Sequence, residues 1–325
     1  MIIVRTPFRM SLFGGGTDYK EYYEKYGGSV LSATINKYCY VTLRDMPPIF
    51  GYKNQLTYSK IERFDEAQTL SHPLVREAIK YMGVDRIQIT YDADLPARSG
   101  IGSSSAFAVG LLQGLYAMRD EYPDKMTLAN EAVHVERELC NEAGGVQDQY
   151  SVAIGGLNRL NFSESGIEVK PMMISGSRKK ELRSSMMLMF TGFTHFSGKI
   201  SESQRDNIKN RLSELDEMKK IVDEGEKLLC SASSPTEIGR LMSQAWKIKR
   251  SFSNDITNET MDSIYESAMK AGAVGGKLLG AGGGGFMLLF AEPDKHEYIK
   301  EKMSDFYFPD FDFESEGTTI IYHSK

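Results

Sequence analysis

In the stretch IQITY at residues 87–91, every second side chain is apolar. A period of two is typical of a β-strand with one buried face. Three largely apolar segments, at residues 1–13, 186–190 and 286–290, are also predicted to be strands. Predicted strands are therefore spread over the whole chain.

Other stretches show the longer period of a helix. Residues 106–116 are apolar on most sides, which predicts a buried helix. A second helix is predicted from Thr127, a plausible N-cap, to Gly144, because apolar residues recur between them at helical spacing. Residues 201–229 and about 258–271 are also predicted to be helical. This mixture predicts an α+β fold.

Composition and charge narrow the possible partners. The chain has 325 residues, of which 41% are hydrophobic and 26% charged, and its net charge is −5. This is typical of a globular protein with one large domain or two closely packed ones. The acidic balance argues against nucleic acid as a partner. Basic clusters at 178–180 and 247–250 could bind an anion locally, although short charge runs are more often solvated surface.

The three cysteines, Cys39, Cys140 and Cys230, are widely spaced and include no CxxC pair. They predict neither a disulfide framework nor a cysteine zinc site, and they fit a reducing compartment. The first residues lack a signal-peptide pattern, and no window approaches the ~20 apolar residues of a membrane span. We therefore expect a cytoplasmic protein without a membrane partner.

The sequence GIGSSSA at residues 100–106 lies between a predicted strand and a predicted helix. Glycines let the backbone approach a ligand closely, and the N-terminus of a helix attracts anions, so such a turn can bind phosphate. A tight connection capped by serine would have the same composition. These residues alone leave both interpretations open.

Two further glycine clusters flank this turn in the sequence. GAGGGG at 280–285 fits the pattern GxGxxG, but it is predicted to follow a helix and precede a strand, the reverse of a dinucleotide-binding turn. Five glycines in six residues suggest that the backbone of this loop lies closely against a neighbouring surface. In GGGTDY at 14–19 the glycines are followed by Asp18, which can accept hydrogen bonds from hydroxyl groups, although a simple turn would look the same.

The ordered triplet RMSLFGGGTDY, ARSGIGSSSA and KLLGAGGGGF resembles the motifs of the GHMP kinase family of small-molecule kinases. The resemblance covers essentially the whole chain. It implies an N-terminal domain similar to a ribosomal-protein domain and a C-terminal ferredoxin-like domain, with the active site between them. We place these domains at residues 1–175 and 176–325.

The resemblance assigns the phosphate-binding and metal-binding residues. The turn is expected to bind the phosphates of ATP through Gly100, Ile101, Gly102, Ser103, Ser104 and Ser105. Ser104 and Glu136 are expected to bind Mg²⁺, with Ser105 as the alternative if the register differs by one residue. From the sequence pattern alone, Glu136 would be interpreted as a solvated charge on a helix.

The catalytic residues also follow from the resemblance. GGVQDQY at 144–150 is similar to the family segment that carries the catalytic aspartate, which indicates Asp148 as general base or electrostatic anchor. Arg9 matches the arginine of the first motif in sugar kinases and is expected to stabilise charge near Asp148.

The acceptor is expected to be a sugar or sugar phosphate. Asp18 matches the sugar-binding aspartate of galactokinases, but glycines stand at 15 and 16, where galactokinases have glutamate and histidine. In this departure the chain is similar to the family branch that contains the heptose 7-phosphate kinases and fucose kinases. The resemblance implies phosphorylation of the anomeric hydroxyl of D-glycero-D-manno-heptose 7-phosphate. The predicted substrate-binding residues are Gly15, Gly16, Thr17, Asp18, Gly282, Gly283, His195 and Lys199. A second anion site for the sugar phosphate is placed at 191–204, where a solvated loop is equally compatible.

Two alternatives to this function stay open. One is a fucose-type sugar 1-kinase, and the other is a protein that keeps the GHMP fold for binding without catalysis, since fold does not entail activity. The chain is expected to be a monomer or a homodimer.

Overall fold

The computed structural model of the chain describes residues 1–193 and 197–324. The strands are β1 (Ile2–Phe13), β2 (Gly28–Asp45), β3 (Asn54–Thr57), β4 (Ile61–Phe64), β5 (Ile87–Ala93), β6 (Leu157–Ser163), β7 (Gly166–Pro171), β8 (Met186–Phe190), β9 (Gly275–Leu278), β10 (Phe286–Phe290), β11 (Phe313–Glu314) and β12 (Thr319–His323). The helices are α1 (Lys20–Tyr26), α2 (Pro73–Met82), α3 (Ser103–Met118), α4 (Lys125–Val133), α5 (Gln147–Ile154), α6 (Gly176–Ser184), α7 (Ser197–Asn207), α8 (Leu212–Cys230), α9 (Pro235–Arg250), α10 (Glu259–Lys270) and α11 (His296–Lys302).

The larger sheet is built around the long strands β1 and β2, which pair antiparallel. Its main path runs β12-β1-β2-β5-β3-β4, and β6 joins the other end of β2. Helix α3 packs on β1 and β2. Because α3 is apolar on nearly all sides, it is buried along most of its length. This packing fixes the start of α3 beside β1.

The smaller sheet has the antiparallel order β8-β10-β9. Helix α9 lies close against β9, since a Cβ atom at Gly275 would lie 1.7 Å from the carbonyl oxygen of Gly239 in α9. The strands predicted at 186–190 and 286–290 are confirmed, and they pair residue by residue from Phe286 with Phe190 to Phe290 with Met186. The predicted mixed α+β fold is also confirmed.

The end of the chain returns to the larger sheet. Strand β11 pairs with β2, and β12 pairs with β1. Residues 313–323 therefore belong to the sheet built mainly from the first half of the chain. The division of the chain at residue 175 stays a prediction.

Two local predictions are corrected by the structure. Helix α4 begins at Lys125 rather than at Thr127, because the Asp124 carboxylate caps it by accepting from the Thr127 N–H at 2.8 Å. The helix also does not continue to Gly144, since it changes to a π-helical segment at His134–Leu139.

The surroundings of GAGGGG also differ from the prediction, because this loop follows strand β9 and not a helix. It connects two antiparallel strands, β9 and β10, so its context still differs from that of a dinucleotide-binding turn. Among the described residues, no helix is both long enough and apolar enough to cross a membrane.

Candidate active site

All three glycine-rich motifs converge on one open cleft. Its walls come from the loop after β1, the turn before α3, the segment before α5 and the loop between β9 and β10. Helices α7 and α9 contribute Ser201, Gln204 and Lys249. Segments far apart in the sequence therefore meet in a single site.

The glycines of two loops allow the backbones to touch. Gly100 has φ +82°, and a Cβ atom there would lie 2.5 Å from the carbonyl oxygen of Leu279. A Cβ atom at Gly280 would lie 2.5 Å from the Cα atom of Gly100. Any larger residue at either position would separate the loops. The predicted close packing of the GAGGGG backbone is therefore observed, and its partner is the turn before α3.

The turn itself leads directly into the N-terminus of α3, whose first residue is Ser103. The first N–H groups of a helix lack partners within the helix and carry the positive end of its dipole, which suits phosphate. Of the six residues predicted to bind phosphate, five line the cleft. The exception is Ile101, whose side chain is fully buried and whose carbonyl accepts from the Arg9 N–H at 3.0 Å.

Glu136 lies on the π-helical segment and is only 1% exposed. It accepts hydrogen bonds from Ser104 Oγ at 2.9 Å, Ser105 Oγ at 2.8 Å and Gln149 Nε2 at 2.5 Å. Glu136 is thus not a solvated helical charge, and both serines that were weighed as metal ligands meet the same carboxylate. One carboxylate and adjacent hydroxyls fit Mg²⁺, which takes few protein ligands and completes its shell with phosphate and water.

Arg9 and Asp148 form a bidentate ion pair. Arg9 Nε lies 2.7 Å from Asp148 Oδ1, and Arg9 Nη2 lies 2.6 Å from Asp148 Oδ2. The arginine side chain is 4% exposed, whereas that of Asp148, in the first turn of α5, is 22% exposed. Arg9 Nη1 also donates to the Gly100 carbonyl at 2.6 Å. The same guanidinium therefore fixes both the aspartate and the turn before α3.

Asp18 is buried at the other end of the cleft. It accepts from the N–H of Gly16 at 3.0 Å, and from Gln147 through N–H at 3.2 Å and Nε2 at 3.0 Å. Burial raises the pKa of Asp18, and the nearby charge of Asp148 acts in the same direction, while these hydrogen bonds oppose the shift. A Cβ atom at Gly145 would lie 1.9 Å from Asp18 Oδ2, so this position requires glycine.

Three cationic residues that line the cleft, Arg98, Arg137 and Lys249, are absent from the site residues predicted from sequence. Lys249 is 5% exposed and donates to the carbonyl of Gly280. Burial lowers the pKa of Lys249 to about 8, and the charge of Arg9 contributes to the shift. Arg137 donates from Nη2 to the Gly145 carbonyl at 2.9 Å, while its buried Nε has no partner among the described residues.

The basic clusters were the only sequence signal for Lys249. In the cluster 247–250, Lys247 is exposed and Arg250 pairs with Asp262 at 2.6 Å, so only Lys249 faces the cleft. In the cluster 178–180, Arg178 is buried against the end of α8, where it donates to the carbonyls of Leu228 and Leu229. That cluster is therefore partly structural.

The predicted substrate-binding residues divide into two groups. Gly15, Gly16, Asp18 and Gly282 line the cleft. Thr17 and Gly283 do not line it: Thr17 is fully buried and donates to the carbonyls of Gly14 and Ser29, and the N–H of Gly283 donates to the carbonyl of Ile256. Lys199 is exposed and also lies outside the lining. His195 lies outside the described residues.

Two family models match this chain over part of the cleft, including the turn before α3 and the loop between β9 and β10. The model of the GHMP kinases N terminal domain matches residues 73–156, and that of the GHMP kinases C terminal domain matches residues 226–308. Together they cover just over half of the chain. The fold and site thus define an ATP-using phosphotransferase with an alcohol group as acceptor. The chain belongs to the GHMP kinase family, and within it to the sugar kinases.

Individual relatives agree with this class. The D-glycero-alpha-D-manno-heptose 7-phosphate kinase of Campylobacter jejuni is 31% identical, over 97% of each chain. The bifunctional fucokinase/GDP-fucose pyrophosphorylase of Arabidopsis thaliana is 25% identical over 93% of this chain and 31% of its own length. The crystal structure of a D-glycero-D-manno-heptose 1-phosphate kinase from Bacteroides thetaiotaomicron superposes with a TM-score of 0.81 at 23% identity, over the full length of both chains.

Proposed function

We propose that the protein transfers the terminal phosphoryl group of ATP to the anomeric hydroxyl of D-glycero-D-manno-heptose 7-phosphate, giving the 1,7-bisphosphate. The observation that carries this choice is Arg137, a largely buried cation at the Asp18 end of the cleft. Its side chain is 19% exposed, and its nearest carboxylate partner, Glu142, is 3.9 Å away. An arginine held so loosely in its ion pair can bind a phosphate on the acceptor.

The glycines of the first motif support a heptose over galactose. Gly16 has φ +106°, and a Cβ atom there would lie 2.6 Å from the ring of Phe252. The histidine that galactokinases have at this position cannot be accommodated here without moving Phe252. The heptose 7-phosphate kinase from Campylobacter jejuni, with 31% identity over nearly the whole chain, supports the same acceptor.

Each part of the reaction has a candidate residue. The backbone of residues 100–105 would bind the ATP phosphates, and Glu136 with Ser104 or Ser105 would hold Mg²⁺, which neutralises phosphate charge. Asp148 would orient the acceptor hydroxyl and accept its proton as the new bond forms. Arg9 would keep Asp148 in place and stabilise the charge that develops beside it.

Substrate specificity can be tested by measuring ADP release with ATP and Mg²⁺ over a panel of acceptors. The panel contains the manno-heptose 7-phosphate, sedoheptulose 7-phosphate, mannose, fucose, galactose and mevalonate. We expect selective turnover of the manno-heptose phosphate. Preference for fucose would instead favour a fucose-type 1-kinase, in line with the Arabidopsis relative, and would leave Arg137 without a phosphate to bind. Turnover of none of these acceptors would favour a binding protein.

A further inference from the structure

Lys249 is a lysine inside the reaction cleft, near the end of α9. A buried ammonium group loses its hydration, so a protein retains one there only where other interactions compensate or a function requires it. Among the described residues, the Gly280 carbonyl is its only hydrogen-bond partner. An ammonium has three donors. Two of them are therefore available to a ligand.

A second buried lysine shows what a structural role looks like in the same region. Lys277 in β9 donates to the carbonyls of Ser11 at 2.9 Å and Leu12 at 3.2 Å, and it is not part of the cleft lining. Its hydrogen bonds tie the smaller sheet to β1. Lys249 has fewer protein partners and faces the cleft, so its burial is not explained by such a tie.

The surroundings of Lys249 place it at the point of phosphoryl transfer. Its partner Gly280 packs directly on Gly100 of the phosphate-binding turn. Its charge interacts with those of Arg9, Asp18 and Asp148, and Arg9 forms the ion pair with Asp148. The ammonium group thus lies among the turn expected to hold ATP, the aspartate expected to orient the hydroxyl and the aspartate of the acceptor end.

We infer that Lys249 is a catalytic residue that donates hydrogen bonds to the phosphoryl group while it passes from ATP to the sugar. In this step the bond between the γ-phosphorus and the bridging oxygen breaks, and its electron pair stays on ADP. The acceptor oxygen bonds to the phosphorus, and its proton passes to Asp148. Lys249 keeps its own proton and stabilises the negative charge on the phosphoryl oxygens. The inference rests on the kinase reaction and not on which sugar is the acceptor.

The charge state of Lys249 makes this role testable through pH. Four charged groups face it: Arg9 and Lys277 oppose its protonation, and Asp18 and Asp148 favour it. With its pKa lowered to about 8, the free enzyme loses the ammonium charge as the pH rises through that value. We therefore expect kcat/KM for ATP to fall on the alkaline side of pH 8. Arginine at this position would stay charged.

The experiment compares Lys249→Met, Lys249→Arg and the control Lys247→Met, an exposed residue on the same helix. We expect K249M to lower kcat ~100-fold or more, as loss of one transition-state donor does, with the KM for ATP changed less than about threefold. K249R should regain part of the turnover that K249M loses. Its kcat/KM for ATP should also begin to fall at a higher pH than that of the parent. K247M should match the parent.

Thermal unfolding separates this role from a structural one. The folded-state pKa of Lys249 lies below its unfolded value, so its protonated form destabilises the fold at neutral pH, and this penalty fades as the pH rises above about 8. We therefore expect K249M to unfold at a higher temperature than the parent.

Three results would overturn the inference. They are parent-like turnover of K249M, a combined loss of turnover, ATP affinity and thermal stability in K249M, or an alkaline limit in K249R identical to that of the parent. If the parent itself fails to phosphorylate the manno-heptose phosphate but accepts another sugar, only the proposed acceptor is wrong, and the same comparison is made with that sugar.

Discussion

The two ends of the cleft are built in different ways. At the turn before α3, the lining is contiguous in sequence and consists of glycines, serines and backbone. Two charged groups contact it: the Glu136 carboxylate through Ser104 and Ser105, and the Arg9 guanidinium through Gly100. At the opposite end, Asp18, Arg137 and Gln204 come from three distant segments, while Lys249 lies between the two ends, hydrogen-bonded to Gly280, which packs on Gly100. The proposed ligand of this turn is the phosphate chain of ATP, which does not change with the acceptor, so backbone geometry would suffice to bind it. An acceptor sugar differs between kinases, so side chains must recognise it.

The two ends of the cleft also differ in the charged groups that surround them. The Glu136 carboxylate is surrounded by neutral donors, Ser104, Ser105 and Gln149, which leaves its negative charge available for a metal cation. The acceptor end mixes buried charges of both signs. Between the two ends, the ion pair of Arg9 and Asp148 contacts the phosphate-binding turn through Gly100. Variants at the junction should therefore have larger effects than variants at either end.

The largest effect is expected from Asp148→Asn at the junction. The amide cannot accept the hydroxyl proton and lacks the charge that pairs with Arg9, so kcat should fall by about 10³-fold, within the range for loss of a general base. ATP affinity, measured by calorimetry, should change little, because the phosphate-binding turn keeps its contacts.

A control is needed because D148N also leaves a buried guanidinium with a weaker partner. Comparing D148N with Arg9→Lys, which keeps the charge but not the bidentate geometry, isolates the chemical role of the aspartate. Turnover of D148N close to that of the parent would remove Asp148 from the reaction and with it the proposed division of the cleft.

The difference between the two ends also explains how much was predictable from sequence. The place of the turn before α3 in the cleft was predictable because a short contiguous motif encodes it. Five of the six residues assigned there line the cleft, and their binding of phosphate stays a prediction. The exception, Ile101, faces the core, because the residues of a tight turn cannot all point toward the same side. The α+β fold was predictable because strands and helices have distinct periods.

The acceptor end was less predictable because tertiary contacts decide it. Thr17 and Gly283 lie beside residues that line the cleft, yet their polar groups are occupied by the backbone of Gly14, Ser29 and Ile256. Arg137 follows the change from α-helix to π-helix, and the wider turn alters which face each residue occupies. Periodicity read as a regular helix could not assign it to the cleft.

A moderate effect is expected from Glu136→Gln at the phosphate-binding end. An amide keeps the shape of the side chain but binds Mg²⁺ poorly, so activity should fall ~100-fold at low Mg²⁺ and recover in part as Mg²⁺ is raised. Steady-state rates over a range of Mg²⁺ concentrations measure this. The control Glu138→Gln, an exposed neighbour that pairs with His134, should leave the Mg²⁺ dependence unchanged. An unchanged dependence in E136Q as well would limit Glu136 to a structural role.

A smaller and more selective effect is expected from Arg137→Gln at the acceptor end. Loss of a charged hydrogen bond to a phosphate should raise the KM for the phosphorylated acceptor by about 10- to 30-fold, while kcat changes little. The KM for ATP and for any unphosphorylated sugar that is turned over serves as an internal control. Equal increases for both kinds of acceptor would show that Arg137 supports the cleft in general, through its contact with Gly145, and does not bind a phosphate.

The smallest effect is expected from Lys199→Ala. Lys199 is exposed on α7 and lies outside the lining of the cleft, whereas Ser201 and Gln204 of the same helix line it. An exposed lysine that does not touch the ligand adds only a screened long-range attraction, so KM for the sugar phosphate should change less than about twofold at 0.15 M salt. A tenfold rise would instead place the acceptor phosphate at the start of α7, as the sequence motif suggested. R137Q and K199A together thus decide which of the two cations recognises the acceptor phosphate. The double variant tests whether both act on the same phosphate, because their effects on KM would then be non-additive.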